Sequence, residues 1–288
     1  MRGDLAMLEL GLISWSMSEL ALKQYVPTLV PDLCRLEMIE ACGFNPRGSE
    51  SQIYRIQSSE KEDEGREGEG EGGEGEGGGL GLVGTAEIPL AGLAANRLFQ
   101  EEELPSRVVG FSHAYRREAG ARGMKSRGLY RLHQFSKVEM FVHCTPTQTN
   151  DELTQMVHMQ CDLLQQLGLH GRVLQMPTEE LGASAHRKLD VEVWMPGRNE
   201  FGEVCSASDC TDYQSRRLNT RYQPKNQNQN QKNNKNQKLF ASTLNATAMA
   251  VPRVMLAILE THQRPDGTIT VPKPMIPYLG KEIIGTPR

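Results

Sequence analysis

The sequence has few of the features that identify a protein's chemistry at a glance. Its six cysteines form no CxxC pair and share no Cys/His spacing of the zinc-binding kind, so no zinc module is indicated. It has no P-loop motif and no GxGxxG after a predicted strand, so neither kind of nucleotide site is predicted. No stretch of about 18 apolar residues is free of charged residues. The nearest candidate, residues 5–22, contains Glu9 and Glu19, and we expect no membrane span.

The chain also has little net charge. The formal net charge of −4 excludes a globally basic nucleic-acid binder, although not a local basic patch. Two tracts differ from the rest: residues 58–79 hold nine Gly and nine acidic residues, and residues 223–238 hold six Asn, five Gln and four Lys. Neither tract can bury enough apolar surface to offset its ordering entropy, so we predict that both are disordered surface insertions.

Hydrophobic periodicity predicts helices and strands in an order typical of an α+β protein. Helices are predicted over residues 4–24, 32–42, 150–167 and 248–262, and strands over residues 25–30, 107–117, 131–143, 189–195 and 201–207. Most strands follow one another in the second half of the chain, which favours an antiparallel sheet flanked by helices. The first helix is apolar around so much of its circumference that we expect it to be buried or to pack on a partner subunit.

One segment concentrates charge where a strand would normally be apolar. Arg116 and Glu118 precede a Gly-rich loop, and Glu139 follows it on the next predicted strand. Each of these residues alone is more often half of an ordinary ion pair. Together they indicate a polar ligand in a cleft, because charges on core-forming strands are costly unless something pairs with them.

Several ordered motifs accompany this segment. They are Thr85-Ala86-Glu87, the run 116–139, Trp194-Met195-Pro196-Gly197-Arg198, the run 201–218 and the run 245–263. Taken together they resemble the catalytic domain of seryl-tRNA synthetase, a class II aminoacyl-tRNA synthetase, in its mitochondrial, bacterial-like branch. The resemblance covers about residues 5–280. It implies one class II catalytic domain over residues 1–288, interrupted by the two tracts, with an antiparallel sheet flanked by helices.

The resemblance also implies roles for individual residues. ATP would be bound by Arg116, Arg117, Glu118, Phe135, Glu203, Val204, Cys205, Ser206 and Arg253. Serine would be bound by Thr85, Ala86, Glu87, Arg116, Glu139 and Thr247. Arg116 and Arg253 would be the catalytic residues. Glu203 and Ser206 offer hard oxygen ligands for Mg²⁺ between the ATP phosphates.

The chemistry implied by the family is consistent with these residue types. The carboxylate of serine attacks the α-phosphorus of ATP, so catalysis needs positioning and charge neutralisation rather than a strong side-chain base. Arg116 would bridge the serine carboxylate and the α-phosphate. Phe135 and Arg253 would sandwich the adenine, and Glu118 would accept a hydrogen bond from its amino group.

The implied partners are L-serine, ATP, Mg²⁺, tRNA(Ser) and a second copy of the chain, and the implied compartment is the mitochondrion. The family normally begins with a coiled-coil arm that grips tRNA, and no such arm is recognisable before the first motif. We therefore keep two alternatives open. One is an arm-less homologue that loads an amino acid onto a carrier protein, and the other is a non-catalytic interaction protein derived from a synthetase.

Overall fold

The computed structural model describes residues 1–45, 51–57, 79–118, 130–225 and 237–287. Most of the Gly/Glu tract (58–79) and most of the Asn/Gln/Lys tract (223–238) lie outside the described residues. The prediction that both tracts are disordered therefore concerns residues outside the described part of the chain.

The strands of the described residues occur mainly in one large sheet. In chain order they are β1 (Val26–Leu29), β2 (Leu33–Arg35), β3 (Arg55–Ile56), β4 (Leu80–Leu82), β5 (Leu98–Gln100), β6 (Ser106–Tyr115), β7 (Gln134–Cys144), β8 (Gly171–Gln175), β9 (Arg187–Met195), β10 (Glu200–Asp209), β11 (Arg221–Gln223), β12 (Leu239–Phe240), β13 (Ser242–Ala250), β14 (Ile269–Thr270) and β15 (Ile283–Ile284). The large sheet has the order β1-β6-β7-β13-β10-β9-β8. Only the β1–β6 pair in it is parallel, so the predicted antiparallel character is confirmed.

Helices cover both faces of this sheet. They are α1 (Asp4–Leu22), α2 (Leu36–Ala41), α3 (Glu87–Gly92), α4 (Thr149–Gln166), α5 (Tyr213–Leu218), α6 (Val251–Thr261) and α7 (Ile276–Leu279). On one face α1, α4 and α6 pack their apolar residues into the main core. On the other face α2, α3 and α5 form a smaller core around Phe141. Because strand side chains alternate, this second face also carries Lys137 and Glu139, as the pattern of β7 predicts.

Two predicted helices are partly wrong. Residues 33–35 form the short strand β2, which pairs with β4, and only Leu36–Ala41 is helical. The predicted helix over 248–262 begins at Val251, because β13 continues to Ala250 alongside β7. β13 itself lies between β7 and β10, and its sheet pairing overrides the helix propensity of its alanines.

Helix α1 is the one described helix that is long and apolar enough to cross a membrane, with a mean hydropathy of 1.3 over 18 residues. A third of that window is buried within the protein. Leu8, Leu12 and Leu20 are at most 1% exposed and belong to the main core, which accounts for one face of the helix. Gly3 occupies the N-cap position of the helix, and Asp4 lies in its first turn. The predicted lack of a membrane partner stays a prediction.

Candidate active site

The β6–β7 hairpin brings the charged residues of the sequence motif together at one end of the sheet. Just after β6, the backbone N–H of Arg116 donates to the carbonyl of His133 at 2.9 Å, which extends the ladder beyond Tyr115. The Arg116 guanidinium lies 5.3 Å from the centroid of the Phe135 ring. Glu118 follows with a left-handed φ of 54°, and its carboxylate pairs with Arg131 across the hairpin.

A pocket of about 220 Å³ opens between this hairpin and the start of α6. Its lining residues are Arg116, Glu118, Tyr130, Arg131, Leu132, Phe135, Pro252 and Arg253. Four of these, Arg116, Glu118, Phe135 and Arg253, were expected from the sequence as nucleotide-binding residues. We call this space the nucleotide pocket. It combines aromatic faces with guanidinium groups, which suits a planar base that carries phosphates.

Tyr130 is a pocket residue that sequence reasoning missed. Its ring lies between two guanidinium groups, with Arg198 at 4.2 Å and Arg253 at 4.5 Å from the ring centroid. Its hydroxyl donates to the carbonyl of Glu203 at 2.9 Å. The Arg253 guanidinium also donates to that carbonyl at 3.1 Å and lies 3.3 Å from the Glu203 carboxylate. Tyr130 therefore connects the hairpin to β10 and α6, which no local sequence pattern reveals.

Arg116 lies among charged groups of both signs. Burial and the neighbouring charge of Arg253 lower the pKa of the Arg116 guanidinium. Carboxylates act in the opposite direction, and they are Glu118, Glu203 and Glu139. An anionic ligand between Arg116 and Arg253 would offset the repulsion between these two cations.

A buried cluster of polar and acidic side chains lies on the same face of the sheet as Phe141. Lys137 of β7 is buried and lies 2.7 Å from the Glu139 carboxylate. The Lys137 ammonium also donates to the Thr85 hydroxyl at 3.1 Å. The Thr247 hydroxyl donates to Glu139 at 3.3 Å from the adjacent strand β13. The structure thus brings together Thr85, Glu139 and Thr247, three of the residues predicted to bind serine. We call this set, together with Glu87, the amino-acid pocket.

Glu87 is held by two amide groups that come from distant parts of the chain. Gln214 of α5 donates to its Oε1 atom at 2.6 Å, and Asn245 of β13 donates to the same atom at 3.0 Å. Gln214 is fixed in turn by the Thr243 hydroxyl, which donates to its Oε1 atom at 2.8 Å. Burial and the charge of Glu139 raise the pKa of Glu87 to about 7. Gln214 is a second residue that sequence reasoning missed.

A bulge in β10 puts Glu203 and Ser206 on the same face. Glu203 pairs with Glu192 of β9, whereas Cys205 pairs with Val191, so Val204 is an extra residue. With strict alternation Glu203 and Ser206 would lie on opposite faces. The two hard oxygen donors predicted for Mg²⁺ therefore do share one face, which fits the ligand preference of that ion. No group of three or more His, Cys, Asp and Glu side chains suited to a metal ion occurs among the described residues.

Four predicted site residues have side chains that the structure places away from the pocket and the buried cluster. Val204 and Cys205 are each 1% exposed and pack in the main core, so their side chains do not line the nucleotide pocket. Ala86 is fully buried, and its side chain packs in the smaller core. Arg117 is exposed and lies outside the lining of the pocket, although its N–H is fixed by the carbonyl of Gln52. Local alternation and the family motif could not distinguish these residues from their neighbours.

Comparison with known proteins agrees with this geometry. Residues 74–262 match the family model described as tRNA synthetase class II core domain (G, H, P, S and T). The serine--tRNA ligase of Rubrobacter xylanophilus is 43% identical over all of this chain and 61% of that protein. The mitochondrial serine--tRNA ligase of Bos taurus is 43% identical over all of this chain and 51% of its own length.

Solved structures give the same result. The seryl-tRNA synthetase of Pyrococcus horikoshii complexed with ATP superposes with a TM-score of 0.82 at 33% identity, over all of this chain and 58% of that one. The chain thus spans between about half and three-fifths of the length of these relatives. The hairpin, the sheet order and the matched family model lead to one conclusion, which is that the chain belongs to the class II tRNA synthetase family.

Proposed function

We propose that this protein activates L-serine with ATP to form seryl-adenylate and transfers the serine to tRNA(Ser), and that residues 1–288 act as one catalytic domain in this reaction. The observation that carries the proposal is that Arg116 interacts with two unlike groups of residues. Arg116 lines the nucleotide pocket, and it interacts electrostatically with Glu139 and Glu87 of the amino-acid pocket.

The reaction requires this arrangement. The serine carboxylate is already ionised and attacks the α-phosphorus of ATP, so the protein must overcome the repulsion between two anions. A guanidinium can bind both with its forked donors, which holds them in line and neutralises the charge that develops. Arg116 is the cation that both pockets share, and it is therefore the residue to which we assign this role.

The amino-acid pocket has the donors and acceptors that serine needs. Glu87 and Glu139 can accept hydrogen bonds from the substrate ammonium, and Thr85 and Thr247 can bond with its hydroxyl. Binding serine would exchange the existing contacts between Lys137, Thr85 and Glu139 for contacts with the substrate. Alanine lacks the hydroxyl and would leave buried polar groups unpaired, which is a strong basis for rejection.

The nucleotide pocket suits ATP. Phe135 and Arg253 provide an aromatic face and a guanidinium for the adenine, and Glu118 provides an acceptor for its amino group. Glu203 and Ser206 would hold Mg²⁺ on the phosphates, because both offer hard oxygens on one face. When bound, that ion supplies charge neutralisation to the departing pyrophosphate.

We also propose that the protein is a homodimer. The outer side of the sheet edge formed by β1 carries Val26 and Leu29, which are 60% and 92% exposed, and Leu10 of α1 is 59% exposed. Edge strands with exposed apolar residues favour association. Sedimentation equilibrium should give about twice 32.1 kDa. A monomer that still activates serine would contradict this part of the proposal.

A mitochondrial location is the last part of the proposal. Support comes from relatives described as mitochondrial, such as the bovine protein at 43% identity, whereas the bacterial relative from Rubrobacter xylanophilus is equally similar. Fractionation of cells of the source organism, with an antibody to the protein, tests this directly. Exclusive recovery outside the mitochondrial fraction would contradict it.

Serine-dependent exchange of labelled pyrophosphate into ATP tests the central activity. We expect exchange with serine and a rate with alanine that is lower by a factor on the order of 10⁴. Exchange with an amino acid other than serine, followed by transfer to a carrier protein, would favour the carrier-loading alternative. Absence of exchange with all twenty amino acids would favour a non-catalytic interaction protein.

A further inference from the structure

The two strands that carry the site separate from each other where the site begins. β10 and β13 pair through Asp209, Ser208 and Ala207, and the ladder ends at the pair Ala207–Ala246. The next opposed residues are Ser206 and Thr247, and both strands have a bulge just beyond this point. The carbonyl groups of Ser206 and Thr247 therefore face a gap rather than a neighbouring strand.

The Gln160 side chain bridges this gap from the opposite face of the sheet. Gln160 of α4 is fully buried, and its amide nitrogen donates to the Ser206 carbonyl and to the Thr247 carbonyl, each at 2.8 Å. Its amide oxygen has no hydrogen-bond partner among the described residues. A buried amide that leaves its oxygen unpaired costs stability, so the two donated bonds are the feature that explains a glutamine here.

We propose that Gln160 is a positioning residue that sets the distance between the ATP-phosphate strand and the amino-acid strand. The inference rests on the proposed function. Ser206 and Glu203 lie on β10, and Thr247 lies on β13, so the two reactants would be held by strands whose backbone ladder has already ended. One residue further on, the strands are joined by the long bond from the Cys205 thiol to the Ala248 carbonyl at 3.7 Å. Both amide protons of one rigid group bind the two strands, and a change in their spacing would move one reactant relative to the other.

A positioning role differs measurably from a merely structural one. If Gln160 only fills the core, its loss lowers stability and weakens every property of the site alike. If it sets the spacing, each substrate alone still binds with normal affinity. The rate then falls only for the step that needs both substrates in line. The quantities to compare are therefore the separate dissociation constants and the kcat of activation.

The test uses Gln160→Leu, which keeps the approximate volume and removes both donors. The control is Gln166→Leu, an exposed residue at the end of the same helix. Calorimetry with ATP alone and with serine alone is expected to give dissociation constants within about threefold of the unmodified chain. The kcat of pyrophosphate exchange at saturating substrates is expected to fall at least tenfold. Gln166→Leu is expected to stay within twofold in every measurement.

A kcat within twofold for folded Gln160→Leu would overturn the proposal, and so would equal losses in both dissociation constants and in kcat. Should Gln160→Leu unfold, Gln160→Asn takes its place, because its amide is one methylene too short to reach both carbonyls. It is expected to lose at least threefold in kcat while binding each substrate normally. An unchanged kcat in that variant would contradict the inference.

Hydrogen–deuterium exchange without substrates separates this inference from the proposed function. Peptides that cover 204–209 and 243–249 should exchange faster in Gln160→Leu than in Gln166→Leu, because the bridge between the strands is lost. Faster exchange of these peptides would support the bridge even if no amino acid gave pyrophosphate exchange. The absence of pyrophosphate exchange would count against the proposed function alone. Identical exchange in both variants would refute the bridge whatever the activity.

Discussion

The nucleotide pocket and the group of residues that we propose as the amino-acid pocket are built in different ways. The amino-acid pocket is buried and internally bonded: Glu139 is 1% exposed and contacts Lys137 and Thr247, and Glu87 accepts from two amides. The nucleotide pocket is more open and is held together by rings and guanidinium groups stacked around Tyr130. Its charged groups are partly solvated, with a quarter of the Arg253 side chain exposed.

Because of this difference, the two sets of residues suit different tasks in substrate binding. A buried network whose donors and acceptors are already paired can reject a ligand that fails to replace those bonds, so it suits discrimination between small amino acids. Stacking surfaces and exposed cations bind a large, charged ligand without requiring an exact set of hydrogen-bonding groups. They therefore suit the binding of a nucleotide. Substitutions in the first pocket should therefore affect folding and specificity, and those in the second should affect affinity.

The largest expected effect is on stability, through Lys137→Met. Removing the cation leaves Glu139 and Glu87 as neighbouring buried carboxyl groups, and breaking a buried pair typically costs about 3–5 kcal/mol. Chemical denaturation measures the change. Lys188→Met is the matched control, because its pair with Asp190 is also a lysine–carboxylate contact but the lysine side chain is 22% rather than 9% exposed. Equal losses in the two variants would contradict a special role for burial.

Arg116→Ala should give the largest loss of activity. By analogy with removal of one preorganised donor to a developing charge, we expect pyrophosphate exchange to fall about 10²–10³-fold, or about 3–4 kcal/mol. The loss should appear in kcat more than in the KM of either substrate, because Arg116 belongs to both pockets. Arg55→Ala, at an exposed arginine on β3, should leave the rate unchanged. A normal kcat for Arg116→Ala would remove that residue from its proposed role.

The pH dependence of serine binding should reveal Glu87. Its pKa is raised to about 7, so the carboxyl is neutral below that pH and becomes an anion above it. Only the anion pairs with the serine ammonium, and serine affinity should rise between pH 6 and pH 8. Because the folded-state pKa is raised, the contribution of Glu87 to stability is present below about pH 4.5 and is lost as the pH rises through about 7. Calorimetry at several pH values measures the affinity.

Two comparisons sharpen that measurement. Glu87→Gln should bind serine with an affinity that no longer depends on pH in this range. Adenosine, which occupies only the nucleotide pocket, should bind the unmodified chain equally at pH 6 and pH 8. A pH dependence of serine binding that persists in Glu87→Gln would assign it to another group.

The smallest effect is expected for Phe135→Leu. Leucine keeps an apolar surface but loses the aromatic face, which is worth about 1 kcal/mol against a base or a guanidinium. The KM for ATP should therefore rise about fivefold, whereas the KM for serine and the melting temperature should change little. Steady-state pyrophosphate exchange with each substrate varied in turn provides both values. A larger change in the KM for serine would show that the two pockets are not separable.

Much of this fold was predictable where the hydrophobic period is regular. α4, β7 and β9 follow strict 3.6- or 2-residue patterns, and the alternation along β7 agrees with the two observed cores. The end of β13 was not predictable, because its Ala-Thr-Ala-Met-Ala sequence has no alternating pattern and its conformation depends on the strands on both sides.

The residue types of the candidate site were predictable, but the contacts between these residues were not. Arg116, Glu139 and Thr247 stood out as polar residues within core-forming segments. Gln214 and Asn245 contact Glu87 from 127 and 158 residues away, and no single-sequence pattern reports such a contact. The bulge at Val204 likewise decides which β10 side chains face the site, and it depends on pairing with β9.

The most direct test of the account is a structure of this protein with a non-hydrolysable seryl-adenylate analogue. We expect the adenine against Phe135 and Arg253 in the nucleotide pocket, the seryl ammonium and hydroxyl within 3.5 Å of Glu87, Glu139 or Thr247, and the Arg116 guanidinium bonded to the group that links them. An analogue bound elsewhere, or bound here with Arg116 directed away from that link, would contradict the account.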